Sequence, residues 1–98
     1  MASDRDFIEY VVEQVEEAGN ITYRKMFGEY ALYCGGKVIA LVCDNRVFVK
    51  QTDGGRRFID EVVEAPAYPG AKMSFLIEEK LDDREWMSEL IKITTTIP

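Results

Sequence analysis

Residues Met26–Lys50 read MFGEYALYCGGKVIALVCDNRVFVK, in which three apolar runs are separated by two short turn signals. Gly35-Gly36 and Asp44-Asn45 can both adopt the positive φ angles that a two-residue hairpin loop requires. The stretch therefore predicts a meander of three antiparallel strands.

Counting outward from these loops gives a predicted register that pairs Ala31 with Ala40, Tyr30 with Leu41, and Leu41 with Phe48. One face of the meander then collects small Ala and Val side chains, which suit close packing of helices. The other face collects larger side chains: Tyr30, Leu32, Ile39, Leu41, Cys43 and Phe48. Because both faces are apolar, we expect helices, another subunit or a ligand to cover each of them.

Helical patterns flank the meander on both sides. Ser3 is expected to cap a first helix with an apolar stripe from Phe7 to Ala18, ending at Gly19-Asn20. After the meander, Thr52 or Asp53 is expected to cap a second helix that continues to Val63.

The rest of the chain predicts one more strand and one more helix. A loop rich in proline and glycine, residues 65–71, precedes an alternating strand at 72–78. A last helix begins at Asp82 or Asp83 and places Trp86 and Leu90 on one side, and the terminal residues 94–98 are expected to fray. The predicted fold is α+β, a mainly antiparallel four-stranded sheet with helices in the order α-β-β-β-α-β-α.

Composition limits the class of protein. The 98 residues suit one domain spanning 1–98, and the formal net charge of −6 argues against tight, nonspecific binding to phosphate backbones. No apolar run is long enough for a membrane span, and the first residues lack a signal-peptide pattern, so we expect a cytoplasmic protein. With two cysteines and no histidine, we expect no metal site. The predicted register pairs Cys34 with Lys37 and Cys43 with Arg46, so we expect no disulfide, and we expect no cofactor.

A protein-binding surface is the first functional hypothesis. Cationic and apolar side chains around the meander are its candidate residues: Arg24, Lys25, Tyr30, Leu32 and Phe48. The same apolar face could instead join two copies of the chain in a homodimer.

Two other hypotheses remain open from the residues alone. An anion or small-ligand site, with or without enzymatic activity, would use Lys50, Gly54, Gly55, Arg56 and Arg57 at the start of the second helix, together with the loop Pro66 to Gly70. Direct nucleic-acid binding would use Arg24 and Lys25 with the neighbouring Tyr23 and Phe27, and its affinity would fall steeply with salt.

Several motifs also resemble a known family, the N-terminal domain of the TfoX/Sxy bacterial competence regulators. The similarity lies in Arg24-Lys25-Met26-Phe27-Gly28, Gly35-Gly36-Lys37, Val38-Ile39-Ala40-Leu41-Val42, Val47-Phe48-Val49-Lys50, the helix around Phe58, Tyr68-Pro69-Gly70, Met73-Ser74-Phe75 and the helix around Trp86. It spans nearly the whole chain, and the RKMFG stretch followed by a glycine hairpin is its most specific part.

The resemblance implies a cytoplasmic, non-enzymatic regulator that binds a protein of the transcription machinery or another regulator. Longer members of the family add a helical C-terminal domain and act as coactivators with the cyclic-AMP receptor protein at promoters of DNA-uptake genes. The sequence ends at Pro98, so we expect a form without that second domain. The resemblance supplies no catalytic, cofactor or ligand residues.

Overall fold

A computed structural model describes residues 3–96, which form three α-helices, two short 3-10 helices and six strands. The elements are α1 (Arg5–Val15), a 3-10 turn (Glu16–Ala18), β1 (Ile21–Met26), β2 (Glu29–Cys34), β3 (Lys37–Cys43), β4 (Arg46–Val49), α2 (Asp53–Ile59), β5 (Glu64–Pro66), β6 (Met73–Ile77), a second 3-10 turn (Glu79–Asp82) and α3 (Arg84–Thr95). The fold class is α+β, as predicted.

The strands form one antiparallel sheet in the order β1-β2-β3-β4-β6-β5. The prediction of four strands was wrong, because it left out β1 and β5. Strand β1 lies at one edge and contains Arg24 and Lys25, which interrupt its apolar pattern. Strand β5 is a three-residue edge strand that contains Pro66, a residue confined to edges because it lacks a backbone donor.

Three consecutive two-residue loops organise the first four strands. Both residues of each loop, Phe27-Gly28, Gly35-Gly36 and Asp44-Asn45, have positive φ, which is the geometry of a tight hairpin matched to strand twist. The last two loops were predicted from their residue types. The first was missed because phenylalanine rarely adopts this backbone conformation.

A β-bulge in the β2–β3 pair overturns part of the predicted register. Tyr33 pairs with Val38 as predicted, but Leu32 pairs with Ala40, so Ile39 is an extra residue on β3. Beyond the bulge Tyr30 pairs with Val42. One inserted residue moves every following side chain of β2 to the opposite face relative to β3.

The three helices pack on one face of the sheet. α3 contacts both α1 and α2, and its Ser88 hydroxyl donates a buried 3.0 Å hydrogen bond to the Gln14 carbonyl oxygen. The core contains the buried stripes of α1 and α3 and one face of the sheet: Ile8, Val11, Val15, Tyr30, Leu32, Ile39, Ala40, Val42, Val47, Val49, Phe75, Ile77, Met87, Leu90 and Ile91. Tyr30 and Leu32 therefore join Ala40 and the valines, because the bulge has moved them there.

The N-terminal segment is fixed by hydrogen bonds to two hairpin loops. The Ser3 amide and hydroxyl donate to Glu29 Oε1 at 2.9 and 2.7 Å, and the Asp44 amide donates to the same oxygen at 3.1 Å. Ser3 Oγ also accepts from the Asn45 amide at 3.0 Å. Ser3 is thus not the predicted helix cap, since its side chain binds the sheet and Asp4 occupies the cap position, where its side chain makes no capping hydrogen bond to the helix.

The two later helices begin where they were predicted. Thr52 Oγ1 accepts from the Gly55 amide at the start of α2, and Asp83 Oδ1 accepts from the Trp86 amide at the start of α3. α2 ends earlier than predicted, at Ile59, where Asp60 has a φ of 72°. α3 extends through Thr95, part of the segment predicted to fray, and the last two residues of that prediction lie outside the described range.

Candidate interaction surface

The face of the sheet that points away from the helices is also apolar. Register places Ala31, Leu41, Cys43, Phe48 and Leu76 on it, one strand position away from the core residues. We call this surface the outer face. Ala31, Cys43 and Phe48 are buried but do not belong to the core that the helices cover. The outer face is therefore a second apolar layer.

A loop rather than a helix covers the outer face. The connection between β5 and β6 crosses the outer face, because Ala67 and Tyr68 line the same cavities as Leu41. Pro66 and Pro69 restrict the backbone of this connection and of the residues before them. A short loop covers less area than a helix, and the residues around the edge of the outer face stay exposed although Ala31, Cys43 and Phe48 are buried.

Two adjoining cavities lie on either side of this loop, and they share Leu41, Ala67 and Tyr68. The first has a volume of about 550 Å³ and is also lined by Met26, Phe27, Glu29, Tyr30 and Cys43. The second has a volume of about 750 Å³ and also includes Phe48, Lys50, Lys72, Met73 and Ser74. Both fall within the size range of small-ligand and side-chain pockets.

Exposed apolar side chains concentrate around these cavities. Seven large apolar residues are exposed within residues 3–96, and five of them line one or both cavities: Met26, Phe27, Val38, Tyr68 and Met73. Phe27 is fully exposed although its φ is 51°. An aromatic residue that is both exposed and held in the left-handed region contributes nothing to core packing, which points to a role outside folding.

The outer face is locally basic although the chain carries a net charge of −6. Strand alternation places Arg24, Arg46, Lys50 and Lys72 on this side, against the single carboxylate of Glu29 within the strands. None of these four cations lies within ion-pair distance of a carboxylate in the described part of the chain. Their charges are directed to solvent.

The acidic residues concentrate on the helix side. α1 and the turn after it expose Glu9, Glu13, Glu16 and Glu17. The two sides of the molecule therefore differ in charge as well as in cover.

The predicted interaction residues do not all share one surface. Arg24 and Phe48 lie on the outer face, whereas Leu32 is buried in the core, 1% exposed. Tyr30, 6% exposed, belongs to the core and also lines the smaller cavity. Lys25 pairs with Tyr30 and so lies on the helix side of the edge strand. The bulge explains the separation of Leu32 from Phe48, which sequence counting had placed together.

The predicted anion-site residues have other contacts. A Cβ on Gly54 would lie 2.9 Å from Ile93 Cγ2, and one on Gly55 would lie 3.1 Å from Phe75 Cε2, so both glycines permit close packing of α2. The Gly55 amide already donates to Thr52.

The cations of that predicted site point in different directions. Arg56 donates to Glu64 Oε2 at 2.8 Å and lies 5.4 Å from the centre of the Phe75 ring, while Arg57 is exposed. Lys50 lines the larger outer-face cavity instead. The structure thus brings Lys50 to the outer face and not to Arg56.

Cys43 is the one cysteine that lines a described cavity, and its environment makes the thiol a poor nucleophile. Burial raises the pKa of the Cys43 thiol, and the nearby negative charge of Glu29 raises it further. The neutral thiol is a weak nucleophile and behaves as a small apolar side chain. Cys34, the other free cysteine, lies half-buried beside Gly19 on the helix side.

Sequence reasoning missed Met26, Lys72 and Met73 as parts of this surface. It did place Lys50 and the loop that contains Tyr68 in one predicted pocket, and both line the larger cavity. No local signal relates a turn residue such as Phe27 to a loop 40 residues later. Within residues 3–96 no helix could span a membrane, and no cluster of three metal-ligating side chains forms.

Comparison with known proteins gives two matches. The profile of the family described as TfoX N-terminal domain matches residues 13–96. A protein of Spirochaeta aurantia, described as an uncharacterized 12.7 kDa protein in the trpE 5′ region, is 35% identical over 94 residues. That alignment covers 96% of this chain and 82% of the relative.

Proposed function

Because the chain belongs to the TfoX N-terminal domain family, we propose that it is a regulatory module that binds another protein in competence-related control of transcription. The observation that carries the proposal is the outer face, where five of seven exposed large apolar residues within residues 3–96 surround two cavities. Exposed apolar surface of this kind, rimmed by charged residues, is typical of protein-binding sites. The site of action under this proposal is the cytoplasm, where transcription takes place.

We also propose that the chain is not an enzyme. The thiol beside the first cavity is held neutral by burial and by Glu29, which is the opposite of the environment that activates a nucleophile. The carboxylate of Glu29 itself accepts three hydrogen bonds at one oxygen and holds the N-terminal segment. We therefore assign structural roles to the Cys43 thiol and the Glu29 carboxylate.

Deletion of the gene in the organism that encodes the chain tests this function. We expect transcripts of DNA-uptake genes to fall, and we expect wild-type protein supplied from a plasmid to restore them. Tyr68→Ser protein should fail to restore them, whereas Val63→Ser protein, altered at an exposed apolar residue that lines neither outer-face cavity, should succeed. Unchanged transcripts after deletion would refute the proposed function.

A further inference from the structure

We propose that the outer face binds an acidic segment of the partner protein, with large apolar side chains of that segment entering the two cavities. The proposal deepens the proposed function and rests on it for the biological role of the binding. It names the chemistry of the partner from the shape and charge of the surface.

The shape of the surface requires two apolar side chains close together. The cavities share a wall formed by Leu41, Ala67 and Tyr68, so neighbouring side chains of one short segment can fill both. Each cavity is larger than a single side chain needs, and burial of a large apolar side chain favours binding. These two anchors would supply most of the affinity.

The charge of the surface requires acidic residues beside those anchors. Lys50 and Lys72 line the larger cavity, and Arg24 lies on the same side of the sheet, two residues before Met26 of the smaller one. None of the three pairs with a carboxylate within residues 3–96. Carboxylates of a bound segment would provide these missing partners and speed the encounter.

The lining favours a protein segment over nucleic acid. Nucleic acid is held by many phosphate contacts, whereas two lysines line the cavities. Aliphatic and thioether side chains form much of the cavity walls, including Leu41, Met26 and Met73. Recessed walls of this kind complement apolar side chains, and the aromatic rings of Phe27 and Tyr68 beside them can pack on such side chains as well.

The test uses phage-displayed random linear peptides selected on the immobilised full chain. Two double variants with the same net charge are compared, Lys50→Glu/Lys72→Glu on the outer face and Lys80→Glu/Lys92→Glu on the helix side. All four lysines are exposed. Thermal unfolding of both variants confirms that they are folded, and peptide affinities are measured by fluorescence anisotropy at two salt concentrations.

We expect enriched peptides to combine Asp or Glu with large apolar residues. Their affinity should fall about tenfold or more for Lys50→Glu/Lys72→Glu, should stay within about twofold for the control, and should weaken as salt rises. Enrichment of basic or uncharged peptides, equal losses in both variants, or no enrichment at all would overturn the proposal.

Two further measurements test whether the outer face binds nucleic acid or a second copy of the chain instead. Tighter binding of oligothymidylate than of any selected peptide, lost in the same variant, would assign the face to nucleic acid and overturn the proposal. Dimerisation in sedimentation that Tyr68→Ser abolishes would assign the face to a second copy. Selection on the purified chain is independent of transcription, so its failure differs from a failure of the deletion test.

Discussion

The two faces of the sheet are both built from apolar residues, but only one is covered by helices. In β6, Ile77 lies in the core on the helix side, while its neighbour Leu76 is on the outer face. The helix side holds the larger core, the exposed acids and one cavity beside Ile59 and Trp86, whereas the outer face holds the two adjoining cavities, exposed aromatics and unpaired cations. Under the proposed function, apolar patterning on both faces of this small sheet serves folding on one side and recognition on the other.

The largest effect is expected on the free energy of unfolding, and it is tested by comparing two neighbouring residues of β6, Ile77 and Leu76. Ile77→Ala should lower the free energy of unfolding by about 2–5 kcal/mol, because it leaves a cavity in the close-packed core. Leu76→Ala should cost only about 1 kcal/mol, because its side chain is already half exposed. Urea denaturation of both variants measures the difference, and equal losses would mean that the outer face is packed as tightly as the core.

The next effect concerns Glu29, the carboxylate of the outer face. Glu29→Ala should lower the free energy of unfolding by about 1–3 kcal/mol, because the donors from Ser3 and Asp44 lose their acceptor. Glu13→Ala, at an exposed position of α1, is the control and should change stability by less than about 0.5 kcal/mol. Similar changes in the free energy of unfolding for the two variants would show that the Glu29 carboxylate does not stabilise the fold.

A smaller effect of opposite sign is expected at Phe27. Phe27→Asn should raise the free energy of unfolding by about 0.5–1 kcal/mol, because Asn-Gly is the preferred pair for a loop in which both residues have positive φ. The same variant should bind selected acidic peptides more weakly, since Phe27 lines the smaller cavity. Val63→Asn, at another exposed apolar residue, should change neither quantity, and a Phe27→Asn protein with full affinity would remove the turn from the binding surface.

The smallest effect is a pH dependence at the β5 edge. The hydrogen bond from Arg56, with a second one from Gln51, holds the pKa of the Glu64 carboxyl below its usual range. A carboxyl with a lowered folded-state pKa stabilises the fold above its unfolded-state pKa, and that contribution is lost as pH falls through the folded value. Carboxyl carbon NMR titration should show the low midpoint, and Arg56→Gln should move it upward; an unchanged midpoint would contradict the pairing.

Much of the helix-covered side could be predicted from local patterns. The apolar stripe of α1 and the caps Thr52 and Asp83 follow from spacing and residue type, and Gly35-Gly36 and Asp44-Asn45 follow from turn chemistry. Each of these depends on residues within a few positions of one another.

The outer face could not be predicted to the same extent. Its composition depends on a single inserted residue at Ile39, which no local signal marks, and this residue decides whether Tyr30 and Leu32 face the helices. The cover of the face by Ala67 and Tyr68 depends on the pairing of β5 with β6, which Pro66 argued against. In a meander, the side chains on each face of the sheet can therefore be predicted correctly only where the strand register is predicted correctly.

Methyl NMR spectra of the chain, recorded with and without a selected acidic peptide, test the central claim most directly, because methyl groups distinguish the two faces within one strand. We expect the methyl signals of Leu41, Met26 and Ala67, which line the two cavities, to shift on peptide addition while those of Val42 and Ile77 stay in place. Shifts confined to the methyl groups of α1 and α3, with Leu41 and Met26 unmoved, would contradict the assignment of recognition to the outer face.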